Sequence, residues 1–577
     1  MWDFVIVGGG SAGCVLASRL SEKPERRVLL VEAGRDVRPG QEGSAILDMY
    51  PGRAAFDPRN HWSGLMVTTR PFQDNAPEAA RRLYEQPRLI GGGSSINGQM
   101  ANRGTPDDYD EWASLGAAGW DWNGVLPYFR KLERDLDFSG PMHGKNGPIP
   151  IHRIPREKWP LYSRAVERTL GELGFEGIED QNGIYRDGHF PVTLSNDGIN
   201  RVSTSMGYLG AEVRARRNLE IMSDAHVLNI RFEDRRATGI VVRRGGGDEA
   251  IDAANVIVSA GALHSPALLM RSGVGPAPSL RRFGIGCVAD LPGVGENLQE
   301  HPGVSLASFI RPGMRLGGST RRHIHLGMRY SSNHPGGSPS DMYMMFAAKS
   351  AWHPLGRKIG TAIAWINKVR STGRVELVSG DPAAEPSAAF NFLKDQRDLE
   401  RLSDAVVLMA RIFAAPSMAG VIDHAGPSSY SGFAKSLGRQ TLRNYLLTAP
   451  TAMALDALPP LRATFFRTFV SGGSSLADLL SDRSALETYV RDHAFPQWHA
   501  CGTCRMGGAD DPSAVVDPAS GAVHGIGGLF VADASVMPTA PRANLNIPVI
   551  MIAERMSELI ARAATGNGPP SEPRRAG

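Results

Sequence analysis

The residues whose type and spacing best suit chemistry stand at the start of the 577-residue chain. Gly8-Gly9-Gly10-Ser11-Ala12-Gly13 spells G-x-G-x-x-G, and Glu32 closes the apolar run that follows it. In such a turn Gly8 permits the tight bend, Gly10 lets a pyrophosphate approach the backbone, and Gly13 lets helix and strand pack closely. The N-terminus of the helix that follows would offer free N–H groups and a positive dipole end to the phosphates. Glu32 would accept hydrogen bonds from an adenosine ribose. A second chemical spelling, Cys501-Gly502-Thr503-Cys504, is C-x-x-C. No second C-x-x-C and no paired His ligands accompany it, so a zinc knuckle is not expected. A thioredoxin-like redox pair would open a helix after a strand in a small domain, which this context does not suggest. His493 with His499, and His264 with His301, are not read as metal ligands, and no metal is expected. Most of the 15 histidines read as satisfied core residues. The run Asp341-Met342-Tyr343-Met344-Met345-Phe346 would suit either a strand lining a pocket or plain core.

The elements that must position the glycine turn follow from the pattern around it. Asp3–Val7 is a short apolar strand, Cys14, Leu16, Ala17 and Leu20 mark one buried helix face, and Arg27–Val31 is a second strand. This order gives the dinucleotide reading its weight, although the residues alone do not say which dinucleotide. Thr105-Pro106-Asp107-Asp108 is a helix start, with a capping hydroxyl, a proline in the first turn and acids at the positive dipole end. The length calls for two interleaved domains. A net charge of +4 on 63 basic and 59 acidic residues, with no long Lys/Arg block, argues against nucleic acid as a partner. The sequence pI near 8.8 leans toward an acidic substrate or partner. No apolar run reaches transmembrane length, no signal peptide is read, and four cysteines make no disulfide framework, so a cytoplasmic location is expected.

Further motifs identify a family. Tyr84 to Gly98 contains Gly91-Gly92-Gly93-Ser94-Ser95-Ile96-Asn97-Gly98, and Gly261 to Gly275 opens Gly261-Ala262-Leu263-His264-Ser265-Pro266. Gly293 to His301, Trp498 to Gly507, Val531 to Pro538 and Asn544-Leu545-Asn546-Ile547-Pro548 complete the set. In this order they resemble the glucose–methanol–choline (GMC) oxidoreductases from about Trp2 to Ala564. Pro87, where the family usually has Gly or Ala, is a small departure outside the glycine core.

The resemblance implies an α/β fold (α+β overall): a Rossmann-like FAD-binding domain with a discontinuous substrate domain, an antiparallel sheet backed by helices. The FAD-binding domain is expected over 1–150, 216–301 and 495–563. Residues 151–215 would be a substrate-domain segment and connection, 302–494 the substrate-binding domain, and 564–577 a disordered tail. The cofactor implied is FAD. Its expected contacts begin with Gly8, Gly10, Ser11, Ala12, Gly13, Glu32, Ala33 and Trp62. They continue through Gly91, Gly93, Ser94, Asn97 and Gly98, then Val227, Ala260 and Gly261. Trp498, Asp533, Ala534, Asn544 and Ile547 close the set. Some family members attach FAD through a histidine at the position held here by Ile96, so non-covalent FAD is expected.

The family's catalytic pair carries over to His499 as general base and Asn546 as the amide that orients the substrate oxygen. The reaction implied is oxidation of a primary alcohol, with hydride passing to flavin N5. The segments Tyr84–Tyr109 and Gly119–Phe129, with Trp498, resemble the hydroxymethylfurfural-oxidising branch and suggest an alcohol on a furan or benzene ring. Choline- and pyridoxine-oxidising branches, and a lyase or photodecarboxylase on the same scaffold, are the alternatives. The electron acceptor, molecular oxygen or another oxidant, stays open; Gln497, polar and two residues before His499, weighs against oxygen. The oligomeric state is not legible.

Overall fold

In the computed structural model, residues 1–70, 81–428 and 432–565 are described. The tail expected to be disordered lies outside them from 566 onward. One sheet has seven strands. Its order is His226–Glu233, Arg236–Arg244, Gly247–Val258, Trp2–Val7, Val28–Val31 and Leu219–Met222, with Leu529–Val531 added on Gly247–Val258. The pairings through Trp2–Val7 are parallel, and the His226–Arg244 hairpin is antiparallel. Val5, Ile6, Val28, Leu30, Val256 and Ile257 are fully buried, as expected of strands covered on both faces. The helix Ser11–Leu20 leaves the first strand through the glycine turn. A Cβ at Gly13 would stand 1.9 Å from the Gly8 carbonyl oxygen, so only glycine lets helix and turn approach this closely.

A second seven-stranded sheet is antiparallel. Ile422–Ser428, Pro302–Ile310, Ile359–Ile366, Met342–Ala347, Ile324–Tyr330 and Gly188–Pro191 follow one another, and Phe495–Pro496 pairs with Pro302–Gly303. The helix Gln396–Ala414 backs this sheet and buries Leu399, Leu402, Val406, Met409 and Phe413. The helix expected from Thr105 spans Pro106–Ser114, and Thr105 with Asp108 forms a capping box at its start. No helix among the described residues is long and apolar enough to cross a membrane.

The last helix, Asn546–Ala564, lies against Ser11–Leu20 and is pinned there by a buried carboxylate. Glu554 is fully buried and accepts from Arg19 Nε on both oxygens at 3.1 and 2.9 Å, from Arg19 Nη2 at 2.7 Å and from the Tyr208 hydroxyl at 2.7 Å, and pairs with Lys131 at 3.1 Å. Removing Glu554 leaves the Tyr208 hydroxyl without its acceptor and leaves Arg19 and Lys131 with only Glu22 and Glu558, at a cost of about 2 kcal/mol. Glu554→Ala is expected to lower the Tm of the holoprotein by several degrees, read by circular dichroism. An unchanged Tm would show that the cluster contributes nothing net.

Candidate active site

The glycine turn, residues of the Gly92–Gly98 segment and the inner face of the antiparallel sheet line one cavity of about 1300 Å³. Two helices point their N-termini at it, Ser11–Leu20 and Asn546–Ala564, and neither has a side-chain cap. Their first-turn N–H groups are therefore available to an anionic group. The Ser11 hydroxyl donates to Asn546 Oδ1 at 3.1 Å, which clasps the two helix starts together. A Cβ built on Gly10 or Gly93 meets no protein atom within 4 Å, so the backbone there is open to a ligand. Glu32 lies at the cavity edge and accepts from the N–H groups of Gly9 and Gly34, both at 2.8 Å. Burial pushes its carboxyl above the usual range, offset in part by those two N–H groups. Asn544 Oδ1 and Gln497 Nε2 are buried, line the cavity and have no partner in the protein. Open glycine backbone, two uncapped helix starts and orphaned polar atoms together fit a dinucleotide whose ring system has a polar edge.

At the substrate side His499 Nε2 is 2.9 Å from Asn544 Nδ2, and His499 Nδ1 is 2.9 Å from His301 Nδ1. As the amide stands it donates to Nε2. The His499 hydrogen is then on Nδ1, pointing at His301, and His301 carries its own on Nε2, which is buried without a partner. Burial, then the neighbouring His301, holds the His499 pKa well below the ordinary histidine value. Burial and Lys368 push His301 down to about 3. Both rings are neutral at physiological pH, and the His499 Nε2 lone pair, engaged here by the Asn544 amide, stands at the cavity wall.

The backbone that delivers these rings is strained and braced. Trp498 has φ +62°, a left-handed conformation that is costly for a bulky side chain. Its indole donates to Glu85 at 3.1 Å, and the next N–H, that of His499, donates to both oxygens of Glu300 at 2.8 and 2.7 Å. Glu300 also accepts from the His301 N–H at 2.8 Å and the Tyr84 hydroxyl at 2.7 Å.

Most expected site residues meet in this one cavity. Gly8, Gly10, Ser11, Ala12, Glu32, Ala33, Trp62, Gly93, Asn97 and Gly98 line it, as do Val227, Ala260, Gly261, Trp498, Asp533, Ala534 and Asn544. Four do not, each for a packing reason. Gly13 is closed against Gly8. Gly91 (φ +88°) bonds the Gly9 carbonyl through its N–H at 2.8 Å. The Ser94 hydroxyl is occupied by Gly91 and Thr204, and Ile547 is core. The expected partner of His499 also changes. Asn546 lines the cavity but is turned to Ser11, in the first turn of its helix, whereas Asn544 in the loop before it reaches the imidazole. Asp533 spends its carboxylate inside the protein, accepting from Gly261, Ser265 and Ser535. His301 and Glu300 were not singled out as site residues by sequence; the acid–histidine pair ending the Gly293–His301 motif was the available signal. His264 pairs with Glu385 at 2.9 Å. Cys501 and Cys504 are buried free thiols whose pKa values burial raises, so they are not poised for exchange.

Burial raises the Glu300 pKa to about 7, with the donors from Tyr84, His499 and His301 holding it lower than burial alone would. A carboxyl raised in the folded state favours folding when protonated, so its contribution is full below about 4.5 and is lost as pH rises through about 7. Relative to Glu300→Gln, the wild type should lose up to about 3 kcal/mol across that window. Thermal unfolding of both proteins at several pH values checks this; parallel profiles would refute it.

Comparison with known proteins agrees with this architecture. The GMC oxidoreductase family models match residues 2–303 (N-terminal model) and 369–553 (C-terminal model). The 5-(hydroxymethyl)furfural oxidase of Methylovorus sp. is 41% identical over 574 residues, covering 98% of this chain and 99% of the relative. Oxygen-dependent choline dehydrogenase 1 of Chromohalobacter salexigens is 33% identical over 97% of this chain and 94% of its own. Among solved structures, pyridoxine 4-oxidase from "Mesorbium loti" superposes with a TM-score of 0.79 at 27% identity, covering 97% of this chain and 99% of that one. The chain belongs to the glucose–methanol–choline (GMC) oxidoreductase family and is an FAD-dependent alcohol oxidoreductase.

Proposed function

We propose that His499 is the general base and Asn544 the orienting donor in the oxidation of an aromatic or furanic primary alcohol to its aldehyde. The observation that carries this is the 2.9 Å contact between a neutral imidazole Nε2 and an amide Nδ2 at the wall of the cofactor cavity. A hydroxyl inserted between them gives its proton to Nε2 while the amide N–H bonds the oxygen as negative charge grows on it. His301 Nδ1 accepts from His499 Nδ1–H and stabilises the imidazolium that results. FAD, when bound, supplies the acceptor for the two electrons that leave the carbinol carbon as hydride. The residues suited to hold it are the Gly8–Gly13 turn, Glu32 at the adenosine end, and Asn97 and Gly98 near the flavin ring. Asn546 serves this half, as the link to Ser11. Ile96 offers no nucleophile at the cavity wall, which favours non-covalent FAD. The four unpaired thiols are compatible with a reducing compartment, the cytoplasm.

The choice of alcohol rests on the furfural oxidase relative. The test is flavin reduction under anaerobic conditions in the dark. Hydroxymethylfurfural or a benzylic alcohol is expected to bleach the flavin. His499→Ala should slow that step by about 10²–10⁴ and Asn544→Ala by about 10². Asn546→Ala should instead lower flavin retention. An Asn544→Ala protein that reduces at the wild-type rate would return the role to Asn546. Bleaching by no alcohol would move the reading to a lyase or a photodecarboxylase, and admitting air after bleaching distinguishes oxidase from dehydrogenase. Acid precipitation is expected to release all the yellow colour into the supernatant; colour kept by the polypeptide would refute non-covalent binding.

A further inference from the structure

Away from His499 the cavity runs along the antiparallel sheet and reaches a lysine. Gly303 pairs with Trp365 and Trp365 with Tyr343, which sets the level of the His499 site on that sheet. Met345 and Ile363 are the next inward pair, then Ala347 and Thr361, all lining the cavity. Lys349 lies beyond them, two residues past the strand end at Ala347 and at most about 20 Å from the level of Tyr343. Met345, Ile363, Ala347 and Thr361 form the wall between, and Lys349 lines the same cavity past them.

Lys349 has no carboxylate partner among the described residues; its Nζ sits 4.4 Å from the centre of the Tyr50 ring. Tyr50 in turn meets the edge of His323, with ring centres 4.9 Å apart. His323 lines the cavity, is 8% exposed, and has a buried Nδ1 with no partner. His353 also lines it; its Nδ1 accepts from the Gly356 N–H at 3.1 Å, which leaves its hydrogen on Nε2. Behind them Arg322 and Arg201 are fully buried and bonded to neutral groups: Arg322 to the carbonyls of Ile324 and Met49, Arg201 to those of Ile46 and Ser94 and to Asn97.

The acid nearest this group, Asp48, is already engaged by Arg53 at 3.3 Å, Arg321 at 3.8 Å and the Tyr50 N–H at 3.1 Å. The carboxylates that line the cavity, Glu32, Glu85 and Asp533, are each bonded at the cofactor or Trp498 end. Lys349 is thus the cation that lines this part of the cavity, and the nearest carboxylate, Asp48, is shared with two arginines. Burial and Arg357 already push Lys349 down to about 8, the sign of a cation that lacks a counter-charge. A quaternary ammonium would be repelled here, and one lysine suits a monoanion better than a phosphate dianion.

We propose that Lys349, with the imidazoles of His323 and His353, forms a carboxylate subsite in the cavity away from His499, so that the alcohols oxidised at His499 include, beside aromatic and furanic ones, the ω-hydroxyl of an elongated hydroxy acid. This rests on the alcohol-oxidising reading of His499 and extends it to a substrate class. The test compares ω-hydroxyhexanoate, ω-hydroxydecanoate and ω-hydroxydodecanoate with their methyl esters, which keep the length and remove the charge. Wild-type kcat/KM is expected to favour the longer acids over their esters by about tenfold or more. Lys349→Met should erase that preference through KM, and Lys349→Arg should keep it. Equal use of acid and ester by the wild type, or an undiminished preference in Lys349→Met, overturns the subsite. Benzyl alcohol is the control. If it bleaches the flavin while acids and esters are indistinguishable, only the subsite fails; if no alcohol bleaches it, the His499 reading fails as well.

Discussion

Glu300 is a buried carboxylate whose hydrogen-bond donors are all neutral: the N–H groups of His301 and His499 and the phenol of Tyr84. It has no ion pair among the described residues, so its charge is disfavoured by burial and relieved only by those dipoles. The cost is offset by placement. One side chain fixes two backbone segments almost 200 residues apart in sequence and thereby sets the two imidazoles 2.9 Å from each other. The left-handed turn at Trp498 persists because the N–H that follows it is held on both carboxylate oxygens. Without that brace the imidazole would have no reason to meet the Asn544 amide.

The rest of the site is built by convergence upon that point. The parallel half of the first sheet ends its strands at the glycine turn and sends two helix N-termini toward the cavity, as open α/β sheets do at their carboxyl edge. The antiparallel sheet supplies an inward row of small and apolar side chains instead. Polar recognition of a cofactor and a loose apolar path for substrate are thus divided between two sheets with different hydrogen-bond patterns.

How much of this the sequence shows depends on whether backbone or side-chain direction carries the information. The strand–turn–helix unit is legible because glycine at Gly8 and Gly13 is demanded by backbone geometry, and the start of the helix Pro106–Ser114 by its capping residues. The choice between Asn544 and Asn546 is not. Two identical amides two residues apart straddle the last loop residue and the helix start, and only the packed helix decides that one faces Ser11 and the other His499. Gly91 and Ser94 sit in a glycine-rich motif that does touch the cavity, but their own groups are consumed in holding its shape. Sequence assigned the motif; three-dimensional packing divided it into residues that touch a ligand and residues that support them.

The strand Phe495–Pro496 pairs with Pro302–Gly303, so His301 and His499 both flank strands of the antiparallel sheet, whereas Asn544 belongs to the loop entering the last helix, which packs on the helix Ser11–Leu20 that follows the glycine turn. The imidazole–amide contact is therefore a gauge of how one sheet is seated on the other. A slip of a single ångström between them would open that contact while leaving the glycine turn and both helix starts untouched. Turnover and cofactor retention are mechanically separate properties of this molecule: on warming, it can fall silent while still yellow.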